Sequence, residues 1–304
     1  RALMAFFPEP MAGKFADDTR GHRLRREIIA RVVANDLVNR GGPSFVNRLE
    51  EATGRSAADV VRTFTVVRDG FGLPALYAEI DALDNRIDGQ LQLDLYQLVS
   101  RLIFVATGWH LKNDTGTAPL AQRIAQLRQA REALEPKLLA LLPEYTRTRI
   151  EQKRLELCEA GVPDSLAQRL ALADIAEFVP DIALAARQSG ADMAAAAKAF
   201  FAASEAFRIA RIEEALHAIS PSDYYDQLAL SRAGDVIGAA RRGIAVAALA
   251  GHGDAADPVA AWLAAGGERI GTIRERLQAL TEAGDITVSR LSVAAGLMSD
   301  LTAH

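Results

Sequence analysis

The stretch NDLVNRGGPSFVNRL (residues 35–49) determines how the first part of this chain folds. Upstream of it, apolar residues recur at helical spacing over residues 24–38, which predicts a helix that runs into this stretch. Two glycines and a proline then break the pattern. We expect Gly41 at the left-handed C′ position, Gly42 at an N-cap and Pro43 in the first turn of the next helix. The stretch therefore predicts two helices joined by a tight break.

A polar cluster occupies the last turns before this break. Asn35, Asp36 and Asn39 lie at positions i, i+1 and i+4. Such residues either satisfy backbone groups near a helix end or face a partner, and the local use is the commoner one. An ionised Asp36 needs N–H or cationic partners, for which Arg40 and Arg48 are the candidates. We hypothesise that Asp36 ties the two helices together, through Arg48 or through N–H groups of the intervening turn.

The composition sets limits on the class of protein. The chain has 304 residues, half of them apolar but few of them aromatic, which favours packed helices. The net charge of −4 comes from interspersed acids and bases, which argues against a nucleic-acid partner. A single cysteine, Cys158, cannot form an internal disulfide, and this predicts a cytoplasmic location. The longest apolar runs are far shorter than the ~20 residues that span a bilayer, so no membrane partner is expected.

No segment shows the alternation of apolar and polar residues that is typical of strands. We therefore predict an all-α helical bundle with two similar helical halves, plus connecting and C-terminal helices. The sequence begins with arginine rather than methionine and is interpreted as a fragment of a longer protein. The predicted division is a lead-in segment at 1–23, a first half at 24–115, a connector at 116–143, a second half at 144–251 and C-terminal helices at 252–304.

The two halves are inferred from an internal repeat. Residues 53–83 align without a gap on residues 189–219, at a constant offset of 136 positions. The repeat retains two phenylalanine positions, Phe64/Phe200 and Phe71/Phe207, and four further pairs keep their apolar character: Leu73/Ile209, Leu76/Ile212, Ile80/Leu216 and Leu83/Ile219. The pattern predicts one helix pair in each copy, with a turn near Gly72 and Arg208. The two phenylalanines of each copy should occupy equivalent core positions.

Two glycine patterns match the spacing of a dinucleotide fingerprint but lack its context. They are GFGLPA at 70–75 and GHGDAA at 251–256. The fingerprint works only where a strand feeds a tight turn into a helix that holds the pyrophosphate. Both matches follow predicted helices instead. We interpret them as turns between helices and predict no cofactor site in this chain.

Other candidate sites are equally weak. The histidines are scattered and are expected at surface or interhelix positions: His22, His110, His217, His252 and His304. The arginines between residues 20 and 26 could hold a phosphate. Nearby acids offset them, so a solvated face or an interdomain contact is the alternative. Trp109 and Trp262 are expected to anchor the cores of the two halves.

The segments around the helix break resemble the large bacterial NAD-specific glutamate dehydrogenases. The resemblance is carried by FPEP (7–10), HRLRREII (22–29), NDLVNR (35–40), GPSF (42–45) and ALDNR (82–86). It is close over about the first 115 residues and is one of pattern and composition beyond them. It implies the C-terminal helical region of such an enzyme, without its catalytic core.

The resemblance further implies what lies outside this chain. NAD would be the cofactor of the parent enzyme, with no catalytic, cofactor or metal residue carried over to any position here. The partners would be the upstream catalytic domain of the same chain and, in the parent, further copies in a homo-oligomer. The candidate structural or interdomain residues are Asn35, Asp36, Asn39, Arg40, Gly41, Gly42, Pro43 and Arg48.

A second hypothesis is a free-standing helical interaction module, duplicated to bind a partner protein in a groove between its halves. The two hypotheses predict different surfaces. An exposed, partly apolar face on the helix at 24–40 is expected for the C-terminal region of an enzyme, and a concave groove for the module.

Overall fold

The computed structural model describes residues 2–114, 116–282 and 284–302, and these form helices and turns without a β-strand. The prediction of an all-α fold is confirmed. Arg1, Thr115, Ala283, Ala303 and His304 lie outside the described residues, so the expected position of His304 stays a prediction. The helices are α1 (Ala2–Phe6), α2 (Glu9–Lys14), α3 (Ala16–Arg20), α4 (Arg25–Gly41), α5 (Phe45–Thr53), α6 (Ala57–Gly70), α7 (Leu73–Asp81), α8 (Gly89–Asn113), α9 (Leu120–Leu134), α10 (Leu138–Leu141), α11 (Glu144–Glu159), α12 (Asp164–Ala171), α13 (Ala173–Ala176), α14 (Val179–Ser189), α15 (Met193–Ala206), α16 (Ile209–Ala218), α17 (Tyr224–His252), α18 (Pro258–Ala265), α19 (Gly267–Glu282) and α20 (Val288–Thr302).

The chain folds into two compact units. Unit 1 comprises residues 1–129 and 154–177, and unit 2 comprises residues 130–153 and 178–304. This division differs from the predicted halves, because the helices α12 and α13 pack on α8 of unit 1. The predicted halves rest on repeated sequence rather than on contacts, so the domain division that they imply stays a prediction.

Unit 1 is built around the long helix α8, against which α4, α5, α6 and α7 pack. Phe45 and Phe64 are fully buried and meet edge to face, with ring centroids 5.8 Å apart. The buried positions of α8 are not confined to one seam, because Leu95, Val99, Leu102 and Ile103 are all buried. Helices on several sides of α8 explain this wider buried surface.

Unit 2 is built around α17, which contacts α14, α15, α16, α18 and α20. Its apolar core contains Phe207, Ile237, Leu277 and Met298, all nearly or completely inaccessible to solvent. Trp262 packs against this core only partly buried, with its ring centroid 6.4 Å from that of Phe207.

The repeated segments adopt the same local structure. Helices α6 and α7 span 57–70 and 73–81, whereas α15 and α16 span 193–206 and 209–218. The first residues of α15 and α16, and the last residue of α15, each lie 136 positions after the corresponding residue of α6 or α7, as predicted. The residues between the paired helices, Gly72 and Arg208, are both left-handed, with φ values of 70° and 56°. The predicted helix pairs and turns are therefore observed.

The correspondence extends to hydrogen bonds before each helix pair. The Thr53 hydroxyl donates to the Leu49 carbonyl and accepts from the N–H group two residues later. The Ser189 hydroxyl makes the same two bonds, the first to the Ala185 carbonyl. Phe64 and Phe200 are both fully buried. Descent of the two copies from one ancestral unit remains a prediction that these similarities support.

Helix starts follow the capping signals in the sequence. The Ser56 hydroxyl accepts from the Asp59 N–H group at the start of α6, as the Ser-x-x-acid pattern predicts. Asp88, Asp192 and Asp223 cap α8, α15 and α17 in the same way. Within the described ranges, no helix is both long enough and apolar enough to cross a membrane.

Candidate functional site

The helix break lies one residue later than the glycines suggested. Helix α4 continues through Gly41, and Gly42 takes the positive φ of 87°. Pro43 lies in the turn, and Ser44 rather than Gly42 precedes the first residue of α5, Phe45. The end of α4 therefore lies one residue later than predicted, and the start of α5 lies two residues later, so that Pro43 precedes the helix and is not in its first turn.

Close packing at the break explains this shift. A Cβ atom on Gly41 would lie 2.6 Å from Cδ2 of Phe45, whose ring is buried. Gly41 is thus required inside the helix, because any larger residue would displace the ring. Gly42 is required after it, because a positive φ is unfavourable for other residues.

Asp36 binds Arg68, not Arg48. Its Oδ2 accepts a hydrogen bond of 2.7 Å from Nη1 of Arg68 on α6, and its Oδ1 lies 3.9 Å from Nε of Arg40. The guanidinium carbon of Arg48 instead lies 4.4 Å from the ring centroid of Phe104. The hypothesised tie between Asp36 and Arg48 is therefore wrong. The carboxylate connects α4 to α6. It does not set the angle between α4 and α5, which depends on the two glycines of the break.

Arg68 is the central cation of this arrangement. Its Nε donates 2.9 Å to Oδ1 of Asp69, while its side chain is only 10% exposed. Burial by itself lowers the pKa of Arg68, but the hydrogen bonds to Asp69 and Asp36 outweigh it and raise the pKa overall. Arg68 was not identified from the sequence, although it lies four residues after the apolar Phe64 and hence on the same side of the helix. A cation on an apolar side of a helix is a signal of a buried ion pair.

Arg40 holds α4 to a second neighbour. Its guanidinium carbon lies 3.9 Å from the ring centroid of Tyr77 on α7, a cation–π arrangement. The Tyr77 ring stacks on Tyr96 of α8, with centroids 6.1 Å apart. The Tyr96 hydroxyl donates to Asp81, and burial together with this hydrogen bond raises the pKa of Tyr96 to about 12. Charged and aromatic groups thus fix the C-terminal end of α4 on two helices, α6 and α7, and we call this set the α4 anchor (Asp36, Arg40, Arg68, Asp69, Tyr77).

The predicted polar cluster is divided by the fold. Asp36 points into the α4 anchor, whereas Asn35 and Asn39 are exposed. Within the part of the chain that the structure describes, neither asparagine makes a side-chain hydrogen bond. The local use expected for such residues, to satisfy backbone groups near the helix end, is therefore not observed for Asn35 and Asn39.

The glycine patterns lie between helices, as predicted. Gly72 separates α6 from α7, and Gly251 and Gly253 lie at the end of α17. In the described ranges, no three His, Cys, Asp or Glu side chains come together in a way that could hold a metal ion.

One histidine, His110, occupies a buried interhelix position, one of the two kinds of position that the sequence predicts for the histidines. His110 is buried at the C-terminal end of α8, with Nδ1 3.4 Å from Oδ2 of Asp114. Arg123 donates a 2.9 Å hydrogen bond to the same oxygen. The hydrogen bond with His110, followed by the charge of Arg123, lowers the pKa of Asp114 to about 2. This group joins α9 to the end of α8 and is best explained as a structural ion pair.

The described residues thus define an all-helical region in which the charged groups of the candidate site connect helices to one another. Comparison with known proteins agrees: the family model "Glutamate dehydrogenase, C-terminal" matches residues 1–300. The chain belongs to this family.

Three curated relatives are named NAD-specific glutamate dehydrogenase. The protein from Pseudomonas aeruginosa is 38% identical over 206 residues, which is 68% of this chain and 13% of the relative. That from Halomonas elongata is 36% identical over 195 residues, 62% of this chain and 12% of the relative. That from Mycobacterium tuberculosis is 26% identical over 305 aligned positions, 99% of this chain and 18% of the relative. The chain therefore spans less than a fifth of the length of these relatives.

Proposed function

We propose that this chain is a non-catalytic, structural region of an NAD-dependent glutamate dehydrogenase. The longer protein would convert L-glutamate, NAD and water to 2-oxoglutarate, ammonia and NADH, with transfer of a hydride from glutamate to NAD. Its NAD and glutamate sites would lie outside this chain. The region would hold the domains or subunits of the enzyme in their working arrangement.

The observation that carries this proposal is the combination, on α4, of a fixed C-terminal end with exposed apolar side chains. Its C-terminal end is fixed by the α4 anchor, and Leu37 is the buried hydrophobic residue of the helix. Towards its N-terminal end, Leu24 and Ile29 are exposed. A helix that is held near one end, and that carries exposed apolar side chains along its length, Val38 included, is suited to transmit a fixed position to a neighbouring domain. This exposed apolar surface is the feature expected for the C-terminal region of an enzyme.

The proposal is tested in the longer enzyme by disturbing the α4 anchor. Asp36→Ala and Arg68→Met should lower the thermal stability or the fraction of assembled enzyme. The KM values for glutamate and NAD should stay unchanged in the enzyme that remains assembled. Altered KM values at unchanged stability and assembly would contradict a purely structural role and indicate a regulatory one.

The chain by itself provides a second test. Calorimetric titration of the 304-residue chain with NAD is expected to give no saturable heat. A saturable site with micromolar affinity would contradict the proposal. Homo-oligomerisation of the longer enzyme and a cytoplasmic location, which the single cysteine predicts, remain predictions.

A further inference from the structure

Exposed apolar side chains are concentrated in the N-terminal part of unit 1. Six of the fourteen large hydrophobic side chains that are exposed among the described residues fall within residues 6–38. They are Phe6, Met11, Phe15, Leu24, Ile29 and Val38. Single exposed apolar residues are ordinary, but a local concentration of them marks an interaction surface.

The first three helices cannot be explained by their own stability. Helices α1, α2 and α3 have five, six and five residues. Isolated helices this short do not persist in water, so they need apolar packing. Among the described residues of these three helices, the hydrophobic ones that are buried are Leu3 and Ala12. Burial within unit 1 is therefore small for this segment.

Contacts gather several of these residues into one neighbourhood. The ring of Phe6 lies 5.3 Å from that of Phe7, which lies 5.9 Å from the His22 ring. The N–H group of Leu24 donates to Nδ1 of the same histidine. Helix α1 also packs on α4. The end of α1 and the start of α4 therefore present Phe6 and Leu24 to solvent close together.

The same neighbourhood carries a concentrated positive charge. Residues 17–31 contain five arginines against three acids, Asp17, Asp18 and Glu27, which leaves an excess of two positive charges in a chain with a net charge of −4. Arg20 pairs with Asp17. The other four, Arg23, Arg25, Arg26 and Arg31, are exposed and form no ion pair with a described residue.

Two of these arginines stand in an unfavourable place. Arg25 and Arg26 occupy the first turn of α4, a helix of 17 residues, and outnumber Glu27, the one carboxylate of that turn. The free N–H groups there carry partial positive charge, so cations at this end destabilise the helix and carboxylates stabilise it. An acidic partner would remove this repulsion. An apolar partner alone would leave it in place.

We propose that this surface docks on an apolar patch with an acidic rim, located in the part of the polypeptide that precedes this region in the longer enzyme. We call it the N-terminal face (Phe6, Met11, Phe15, Leu24 and Ile29, with Arg23, Arg25, Arg26 and Arg31). The inference rests on the proposed structural function and specifies its partner. The relatives are more than five times as long as their matched segments, so most of their sequence is available as this partner.

Because the N-terminal face and its partner would belong to one polypeptide, a small interface is enough to keep them docked. A patch tethered to its partner faces an effective concentration in the millimolar range, so a small interface can remain closed. A separate protein would need a larger buried area for the same occupancy. Charge complementarity would then select the orientation more than it would add affinity.

Hydrogen exchange of the longer enzyme tests the proposal, with the 304-residue chain as the undocked reference. Amides of residues 2–33 should exchange at least about tenfold more slowly in the longer enzyme than in the chain alone. The triple variant Arg25→Glu, Arg26→Glu, Arg31→Glu should abolish this difference. A rise from about 50 to 300 mM salt should weaken it, because exposed charges are screened. The matched control is Arg274→Glu, Arg276→Glu on exposed positions of α19, which should leave the difference intact.

Other occupants give other results, and each would overturn the proposal. Protection in the 304-residue chain alone that grows with its concentration would indicate a second copy. Protection of that chain by phosphatidylserine vesicles or by a 20-mer DNA duplex would indicate a membrane or a nucleic acid. Equal exchange in the chain and in the longer enzyme would show that the face is not covered.

Failure of this inference is distinguishable from failure of the proposed function. If the α4 anchor variants impair assembly while residues 2–33 stay unprotected, the structural role stands and the docking face is wrong. If the face is protected while the anchor variants change KM and not assembly, the docking face stands and the purely structural role is wrong.

Discussion

The ion pair between Asp36 and Arg68 allows the sharpest test of how α4 is held. We consider Asp36→Ala, Arg68→Met and the double variant in the 304-residue chain. Methionine retains much of the apolar stem of Arg68, so the change removes mainly the charge and its hydrogen bonds. The comparison of the three variants isolates the coupling between the two side chains.

The expected magnitude follows from burial and from the second carboxylate. Loss of one partner from a fully buried pair costs about 3–5 kcal/mol, whereas an exposed pair contributes about 0–1 kcal/mol. The side chains of Arg68 and Asp36 are 10% and 29% exposed, between these limits. In Asp36→Ala, Arg68 still binds Asp69 at 2.9 Å and is not left unpaired. We therefore expect Asp36→Ala to cost about 1.5–3 kcal/mol, with a coupling to Arg68 of about 1–2 kcal/mol.

The assay must report on unit 1 by itself. The chain contains two tryptophans, of which Trp109 lies in unit 1 and Trp262 lies in unit 2. In a Trp262→Phe background, tryptophan fluorescence therefore follows the unfolding of unit 1. Urea is the suitable denaturant, because guanidinium chloride is a salt and screens the ion pair under study. Because the chain has two compact units, it can unfold in more than one transition. The fluorescence of Trp109 reports on unit 1 alone and so does not depend on a single transition.

Two controls define the refutation. Arg48→Ala should show no coupling with Asp36, because its guanidinium packs on Phe104. Arg62→Met removes an exposed pair on the same helix as Arg68 and should leave unit 1 unchanged within error. Coupling of Asp36 with Arg68 below about 0.5 kcal/mol would refute the anchor described here. Coupling of Asp36 with Arg48 above that value would restore the tie that the sequence suggested.

Three further predictions concern other parts of the two units. Asp114→Asn removes a carboxylate whose pKa is about 2, below its unfolded value of 3.8, so its contribution is present above that value and lost as pH falls through about 2. After allowance for solvent screening, the free energy of unfolding of Asp114→Asn, measured in urea, should differ from that of the wild type by about 1–2 kcal/mol at neutral pH. The two free energies should converge in acid, and a difference independent of pH would contradict this prediction. Phe64→Ala and Phe200→Ala should each cost about 3–5 kcal/mol, since both rings are fully buried, and each should lower the stability of its own unit in single-tryptophan backgrounds. Gly41→Ala should destabilise unit 1 by about 1–3 kcal/mol, because the new Cβ meets the Phe45 ring; a neutral result in urea unfolding would show that the ring can move.

The repeat shows what pattern alone can predict well. Helices, turns and core phenylalanines recur at one offset because they depend on local signals: capping residues, a left-handed position and apolar spacing. Arg208 adopts φ = 56° without being a glycine, so the position rather than the residue type is repeated. The site residues were harder to predict. Asp36 was singled out correctly as a residue in need of a cation, but its partner lies 32 positions away rather than 12.

The sequence by itself determined the all-helical fold, the helix pairs of each repeat and the existence of a break near residue 42. These features depend on interactions within a few residues, which a linear pattern records. Only the tertiary structure decided that α12 and α13 join unit 1, that Arg68 holds Asp36 and that Arg40 lies over Tyr77. Such choices are made between helices, where several cations compete for one carboxylate. The geometry of packing, not spacing along the chain, selects the one that reaches it.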